Sequence, residues 1–127
     1  MRIEVATDRG GFTVDLETEE LEPANLLVAE DSVPVDLPRV IDAASAGSTL
    51  VAVVDATPPL MISHDAGATW RDAGRGLPPG FAVAIAEDDP DLIVYASRNR
   101  LHLSTDGGRF WRVLAPELPT IRWIALA

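Results

Sequence analysis

Ile62-Ser63-His64-Asp65-Ala66-Gly67-Ala68-Thr69-Trp70 returns 41 residues later as Leu103-Ser104-Thr105-Asp106-Gly107-Gly108-Arg109-Phe110-Trp111. Ser63 and Ser104, Asp65 and Asp106, Gly67 and Gly108, and Trp70 and Trp111 all keep this register. Seven residues after each Trp comes Leu-Pro, at Leu77-Pro78 and Leu118-Pro119, with a third copy at Leu37-Pro38. Val83-Ala84-Ile85-Ala86 matches Ile124-Ala125-Leu126-Ala127 at the same offset. So many unlike residue types in one register mark an internal repeat, which decides the architecture before any residue-level reading.

Each repeat reads as short apolar runs divided by turn residues, with no stretch of helical period. The spacing predicts strands at Phe81–Glu87, Leu92–Ser97, Leu101–Ser104 and Phe110–Leu114, with Asp88-Asp89-Pro90-Asp91 and Asp106-Gly107-Gly108 as turns. The preceding unit predicts Arg39–Ala46, Thr49–Asp55, Leu60–Ser63 and Thr69–Asp72. Four antiparallel strands every ~40–45 residues is the pattern of a β-propeller blade. The fold class is therefore all-β, in four-stranded antiparallel blades.

The turn between the third and fourth strands explains the motif. Ser and Asp side chains can bond the exposed backbone N–H groups of a tight turn. Gly67 and Gly108 supply the backbone freedom it needs, and Trp70 and Trp111 bury a large flat ring between neighbouring blades. Ser63, Asp65, Thr69, Ser104 and Asp106 are thus read as turn-building, with no metal or catalytic role.

The N-terminal segment fits as a worn copy that lacks its first strand. Ile3–Thr7 aligns with a second strand, Phe12–Asp15 with a third, and Leu16–Glu20 with the turn, Glu17 standing where the Asp would be. A fourth strand runs from Leu21 toward Val28, and Glu30–Asp36 makes a longer connection. The missing strand is at the other end, Thr120–Ala127. The chain is then a single unit of three blades: about 1–36 plus 120–127, about 37–76, and about 77–119. Three blades are too few for a ring of ~4–8. The expectation is a homodimer forming a six-bladed ring, Thr120–Ala127 of one chain completing the first blade of the other. A trimer of nine blades and a piece of a longer propeller are the alternatives.

The Ser-x-Asp-x-Gly-x-Thr-Trp run at 63–70 and its variant at 104–111, with Phe110 in place of Thr, resemble the Asp-box (bacterial neuraminidase) repeat. This repeat occurs in sialidases, sortilin-type receptors and photosystem II assembly-factor-like propellers. The resemblance implies a propeller that binds its ligand on the face opposite these turns. It implies a non-catalytic scaffold for a protein partner or small polar ligand, with a lectin-like carbohydrate binder as the alternative and a sialidase-like glycoside hydrolase as the third reading. Against the hydrolase, the family's tyrosine nucleophile has only Tyr95 to match, amid Leu92-Ile93-Val94, and the Arg-Ile-Pro stretch is absent. Arg122 has no arginine partner in a comparable position.

Composition narrows the chemistry further. The 127 residues hold 20 Asp+Glu against 10 cations, all Arg, for a net charge of -10. That excludes a nucleic-acid partner. No cysteine excludes disulfides, thiol nucleophiles and zinc-thiolate sites. No lysine excludes Schiff bases and a P-loop. His64 and His102 occupy unlike positions without metal-ligand spacing, and Asp88–Asp91 lacks the glycine and terminal glutamate of a calcium loop. The acidic run Glu17, Glu19, Glu20 and Glu22 reads as solvated. The expectation is no cofactor, no membrane span and, with no targeting segment, a cytoplasmic protein. What remains is the blade face carrying the loops after strands two and four. It holds Asp8, Arg9, Asp55, Arg98, Asn99 and Arg100, concentrating cations on an acidic protein, and predicts a site for a polar or anionic ligand. The plainer reading of these arginines is exposure to solvent.

Overall fold

The run over residues 82–86 is too densely apolar for a half-exposed strand, and the fold explains it by covering both of its faces. The computed structural model describes residues 1–25 and 34–126. The strands are β1 (Arg2–Thr7), β2 (Gly10–Asp15), β3 (Leu21–Ala24), β4 (Val40–Ala46), β5 (Thr49–Val54), β6 (Leu60–Ser63), β7 (Arg71–Ala73), β8 (Gly80–Ala86), β9 (Asp89–Ser97), β10 (Leu101–Ser104), β11 (Arg112–Val113) and β12 (Ile121–Leu126). They form three four-stranded antiparallel sheets, and no helix occurs among the described residues. Strand β3 ends at Ala24; the rest of the strand expected toward Val28, most of the Glu30–Asp36 connection and Ala127 lie outside the described residues.

The second sheet, β4-β5-β6-β7, and the third, β8-β9-β10-β11, are plain meanders. The first runs β12-β1-β2-β3, its leading strand coming from the far end of the sequence. Ile3 faces Leu126, Val5 faces Ile124 and Ala6 faces Trp123 across this ladder. Within one chain, therefore, β12 already occupies the edge of β1 that the sequence reading assigns to a neighbouring copy. The connection over residues 25–39 is longer than 74–79 and 114–120 in the other two repeats.

The third sheet lies between the other two. Val83, Ile85, Ile93 and Tyr95 on one face pack against Val51, Val53, Leu60 and Ile62 of the second sheet. Ala82, Ala84, Val94 and Ala96 on the other pack against Ile3, Val5, Val14 and Ile124 of the first. Each fully buried Val, Leu or Ile contributes about 1.5–3 kcal/mol, so the two contacts dominate the stability. The far face of the second sheet is covered too: Ala43, Ala52 and Val54 are buried under Val35, Leu37 and Trp70.

Every leading strand is bulged near its start. The register shifts between Val40 and Asp42 in β4, between Gly80 and Ala82 in β8, and where Ala6 and Thr7 face Trp123 and Ile121 of β12. The extra residue leaves the ladder. As a result Ile41 and Phe81 are 44% and 43% exposed beside the buried Asp42 and Ala82, and Arg122 is exposed at the third bulge.

Three strand starts differ from expectation for identifiable reasons. Asp89-Pro90-Asp91 belongs to β9 rather than to a turn, the turn being Glu87-Asp88 alone. Ala86 pairs with Asp89 while Ile85 pairs with Ile93, so Pro90, which has no N–H to donate, sits among the residues that the ladder skips. Conversely β7 and β11 begin later than expected, because the N–H groups of Thr69 and Phe110 bond to carboxylates instead of a neighbouring strand.

Candidate functional site

In an antiparallel sheet, successive connections alternate between the two ends, which makes the two ends chemically different here. One end carries the Ser-x-Asp turns. Ser63 Oγ donates to Asp65 Oδ1 (2.7 Å) and accepts from the Gly67 N–H (2.8 Å). Asp65 accepts from the Thr69 N–H (2.8 Å) and the Thr69 hydroxyl (2.6 Å). The later repeat reproduces this: Ser104 Oγ donates to Asp106 (2.8 Å) and accepts from the Gly108 N–H (2.9 Å), and Asp106 accepts from the N–H groups of Arg109 and Phe110. Gly67 and Gly108 have φ of 92° and 89°, which L side chains adopt only with strain.

Hydrogen bonds to the charged carboxylate favour ionisation. The Thr69 hydroxyl, then the Thr69 N–H, hold Asp65 down to about 2, and the Phe110 N–H, then Ser104, lower Asp106. All four side chains thus have internal partners. The rings behind them differ in what they cover. Trp111 lies edge-on to Tyr95, with centroids 6.2 Å apart, and packs on the contact between second and third sheets, whereas Trp70 covers the far face of the second.

In the first sheet the turn is built differently from expectation. Asp15, not Glu17, accepts the turn N–H groups, those of Glu17 (2.8 Å) and Thr18 (3.0 Å), and the Thr18 N–H is the leading cause that lowers the Asp15 carboxyl. Asp15 stands at the position of Ser63 and Ser104, so one carboxylate does the work of the pair. Nor is the acidic run merely solvated: Glu19 accepts from the Ala115 N–H (2.7 Å) and pairs with Arg112 (3.3 Å), tying the first sheet to the third. Arg71 makes the matching link from second to third sheet, donating to the Gly107 carbonyl (3.2 Å).

The opposite end holds the predicted ligand residues. Three segments are laced together there by backbone bonds: Asp8 N–H to the Thr120 carbonyl (3.0 Å), Leu118 N–H to Asn99 (2.9 Å) and Ile121 N–H to Arg98 (2.8 Å). The Thr7 hydroxyl accepts from the Arg9 N–H and donates to the Gly10 carbonyl, shaping the β1–β2 turn. Asp8, Arg9, Arg98 and Asn99, together with Leu118, Pro119 and Thr120, then line one open cleft of about 410 Å³. All four are exposed. Among the described residues the guanidinium groups of Arg9 and Arg98 have no carboxylate within ion-pair distance.

The other two expected ligand residues are elsewhere or otherwise engaged. Asp55 belongs to the second sheet, its N–H bonded to the Arg39 carbonyl, and lines neither cleft beside Arg98. Arg100 is committed internally: it donates to the Leu114 carbonyl (2.9 Å) and faces Glu117 at 3.6 Å. A second cleft of about 410 Å³ shares Arg98 and Asn99 with the first and continues over Pro78, Pro79 and Phe81. The sequence reading passed over Leu118-Pro119 and Pro78 as cleft walls although the Leu-Pro repeat marked them.

Of the remaining chemistry-bearing side chains, Tyr95 and His102 are buried and His64 is exposed. Tyr95 is fully buried, its hydroxyl donates to the Pro78 carbonyl (2.7 Å), and burial raises its phenol. His102 is buried with Nε2 3.2 Å from Ser97 Oγ. Burial, then the Arg100 charge, lowers its pKa, favouring the neutral ring. His64 is exposed beside Thr49. No three His, Asp or Glu side chains converge on a metal position among the described residues, and none of the described helices, there being none, is long and apolar enough to cross a membrane. No protein-family model and no curated protein matches this chain.

Proposed function

We propose that the chain is a non-catalytic scaffold whose three sheets are Asp-box-type propeller blades, and that it captures a carboxylate-bearing ligand at the end of the sheets opposite the Ser-x-Asp turns. The single observation that supports this reading is the cleft where Arg9 and Arg98, on loops of different sheets, share walls without a carboxylate partner among the described residues. Two guanidinium forks on an acidic protein select for an anion with flat, bidentate geometry. Asn99 adds a neutral donor, and Asp8 repels anions that are not fully engaged by both arginines.

Titration with small carboxylates, followed by the arginine Nε–Hε resonances, tests the site. Arg9→Ala and Arg98→Ala should each weaken binding about tenfold, a loss of about 1.4 kcal/mol, and Asp8→Asn should strengthen it. Unchanged affinity in Arg9→Ala/Arg98→Ala would end the proposal. Capture of neutral glycans on an array, insensitive to both arginines, would favour the lectin-like reading instead.

A ring of two copies would use the same ladder. If β12 of each chain paired with β1 of the other, the hydrogen bonds of the first sheet would be unchanged and six sheets would close by two identical junctions. Light scattering after gel filtration distinguishes the arrangements. A particle of twice 13.6 kDa supports exchange, and one of 13.6 kDa removes the homodimer.

A further inference from the structure

We infer that the carboxylate held by Arg9 and Arg98 carries a bulky apolar group, such as an aromatic ring, which lies on the shelf formed by Pro78, Pro79 and Phe81. The inference rests on the carboxylate reading above and specifies the rest of the ligand.

Three observations carry it. First, the two clefts share Arg98 and Asn99 in their walls, so a ligand anchored by Arg98 can extend into either. One is polar, toward Asp8 and Thr120. The other is walled chiefly by Pro78, Pro79 and Phe81. Second, the β8 bulge presents Phe81 to solvent at 43% exposure while the neighbours Gly80 and Ala82 are buried. A ring held out by a register shift, between two prolines and a cation, is a preformed apolar platform whose remaining surface a second ring can cover. Third, most of the polar groups flanking the shelf are engaged within the chain. The Arg100 guanidinium is bonded to Leu114 and faces Glu117, its buried Nε alone lacking a partner, and His102 is held against Ser97. Arg98, exposed and outside any ion pair among the described residues, is the charged group that both clefts share.

The same chemistry could come from a free aromatic acid or from the C-terminus of a peptide ending in an aromatic residue. The test compares acetate, phenylacetate, 3-phenylpropionate and phenylacetamide, then Gly-Gly-Phe with a free and with an amidated C-terminus. Binding is read from the Phe81 ring and Arg98 Nε–Hε resonances. The aromatic acids should bind at least tenfold more tightly than acetate. Phe81→Ser should abolish that advantage while leaving acetate unaffected, Phe81→Leu should retain part of it, and Arg98→Ala should weaken every acid. Phenylacetamide should bind weakly. Tighter binding of free Gly-Gly-Phe than of the small acids supports a peptide terminus, and the reverse supports a small acid. Equal affinity for acetate and the aromatic acids, or a ratio unmoved by Phe81→Ser, overturns the shelf while the carboxylate site stands. Loss of all arginine dependence removes the carboxylate site as well, so the two failures are distinguishable.

Discussion

Gly80 opens β8 directly beneath the ring of Tyr95, and replacing it with alanine is a stringent test of how the second and third sheets meet. A Cβ added there would lie 2.1 Å from both Cζ and Oη of Tyr95 and 2.5 Å from Cε1, so the ring has to move. It has nowhere cheap to go. Tyr95 is fully buried, set edge-on against Trp111 and tilted against His102, and its hydroxyl is fixed on the Pro78 carbonyl. Overpacking a core costs about 1–3 kcal/mol, and displacing the hydroxyl from its acceptor adds about 1 kcal/mol. The φ of Gly80 is not in the left-handed region, so alanine regains about 0.4–1 kcal/mol through the unfolded chain. The clash wins, for a net loss of about 1.5–3 kcal/mol, which lowers the melting temperature by roughly 5–15 °C for a domain of this size. Urea denaturation followed by circular dichroism measures it. In a Tyr95→Leu background, which removes the three atoms nearest the new Cβ, the same substitution should cost under about 0.5 kcal/mol. Equal losses in both backgrounds would refute the reasoning, as would a Gly80→Ala protein as stable as the parent.

The turns and inter-sheet links make further predictions. Ser104→Ala removes the acceptor of the buried Gly108 N–H and should destabilise by about 1–3 kcal/mol, read from the same urea curves; a change below about 0.5 kcal/mol contradicts the turn-building role. Asp65 has a lowered carboxyl, about 2 in the folded chain against 3.8 otherwise, so its contribution is present above about pH 4 and is lost as the pH falls through about 2. The stability gap between the parent and Asp65→Asn should therefore shrink from pH 5 to pH 2, and a gap constant over that range argues against it. Glu19→Ala should cost about 1 kcal/mol, mostly through the Ala115 N–H, because the half-exposed Arg112 pair contributes little. A cycle with Arg112→Ala should return a coupling of about 0.5 kcal/mol or less that falls with added salt.

What could be read directly was whatever depends on residue type at a fixed spacing. The Ser-x-Asp turns need those side chains at those positions, and the strands Leu60–Ser63 and Leu101–Ser104 follow with their bounds intact. The loops opposite the Ser-x-Asp turns were legible as loops, and four of the six residues chosen from them line a common cleft. What escaped depends on partners distant in sequence. Arg100 looks like any loop arginine until the Leu114 carbonyl from the neighbouring strand is set beside it. Glu19 looks solvated until the third sheet brings Ala115 within reach. Asp15, at the end of β2, builds the turn by accepting the Glu17 and Thr18 N–H groups, where alignment had set Glu17 in the place of the turn Asp. Phe81 is exposed only because of a bulge, and periodicity alone assigns an aromatic in such a run to the core.

The pairing of β1 with β12 also sets a schedule for assembly. At ~5–20 residues per second on the ribosome, Ile3 emerges roughly 6–25 s before its ladder partner Leu126. The second and third sheets contain only neighbouring segments and are free to form in the interval, while closure of the first awaits the most distant contact in the chain, the slowest kind to find. Throughout that delay the nascent β1 edge displays unpaired backbone groups, a template that any spare strand of matching pattern could join.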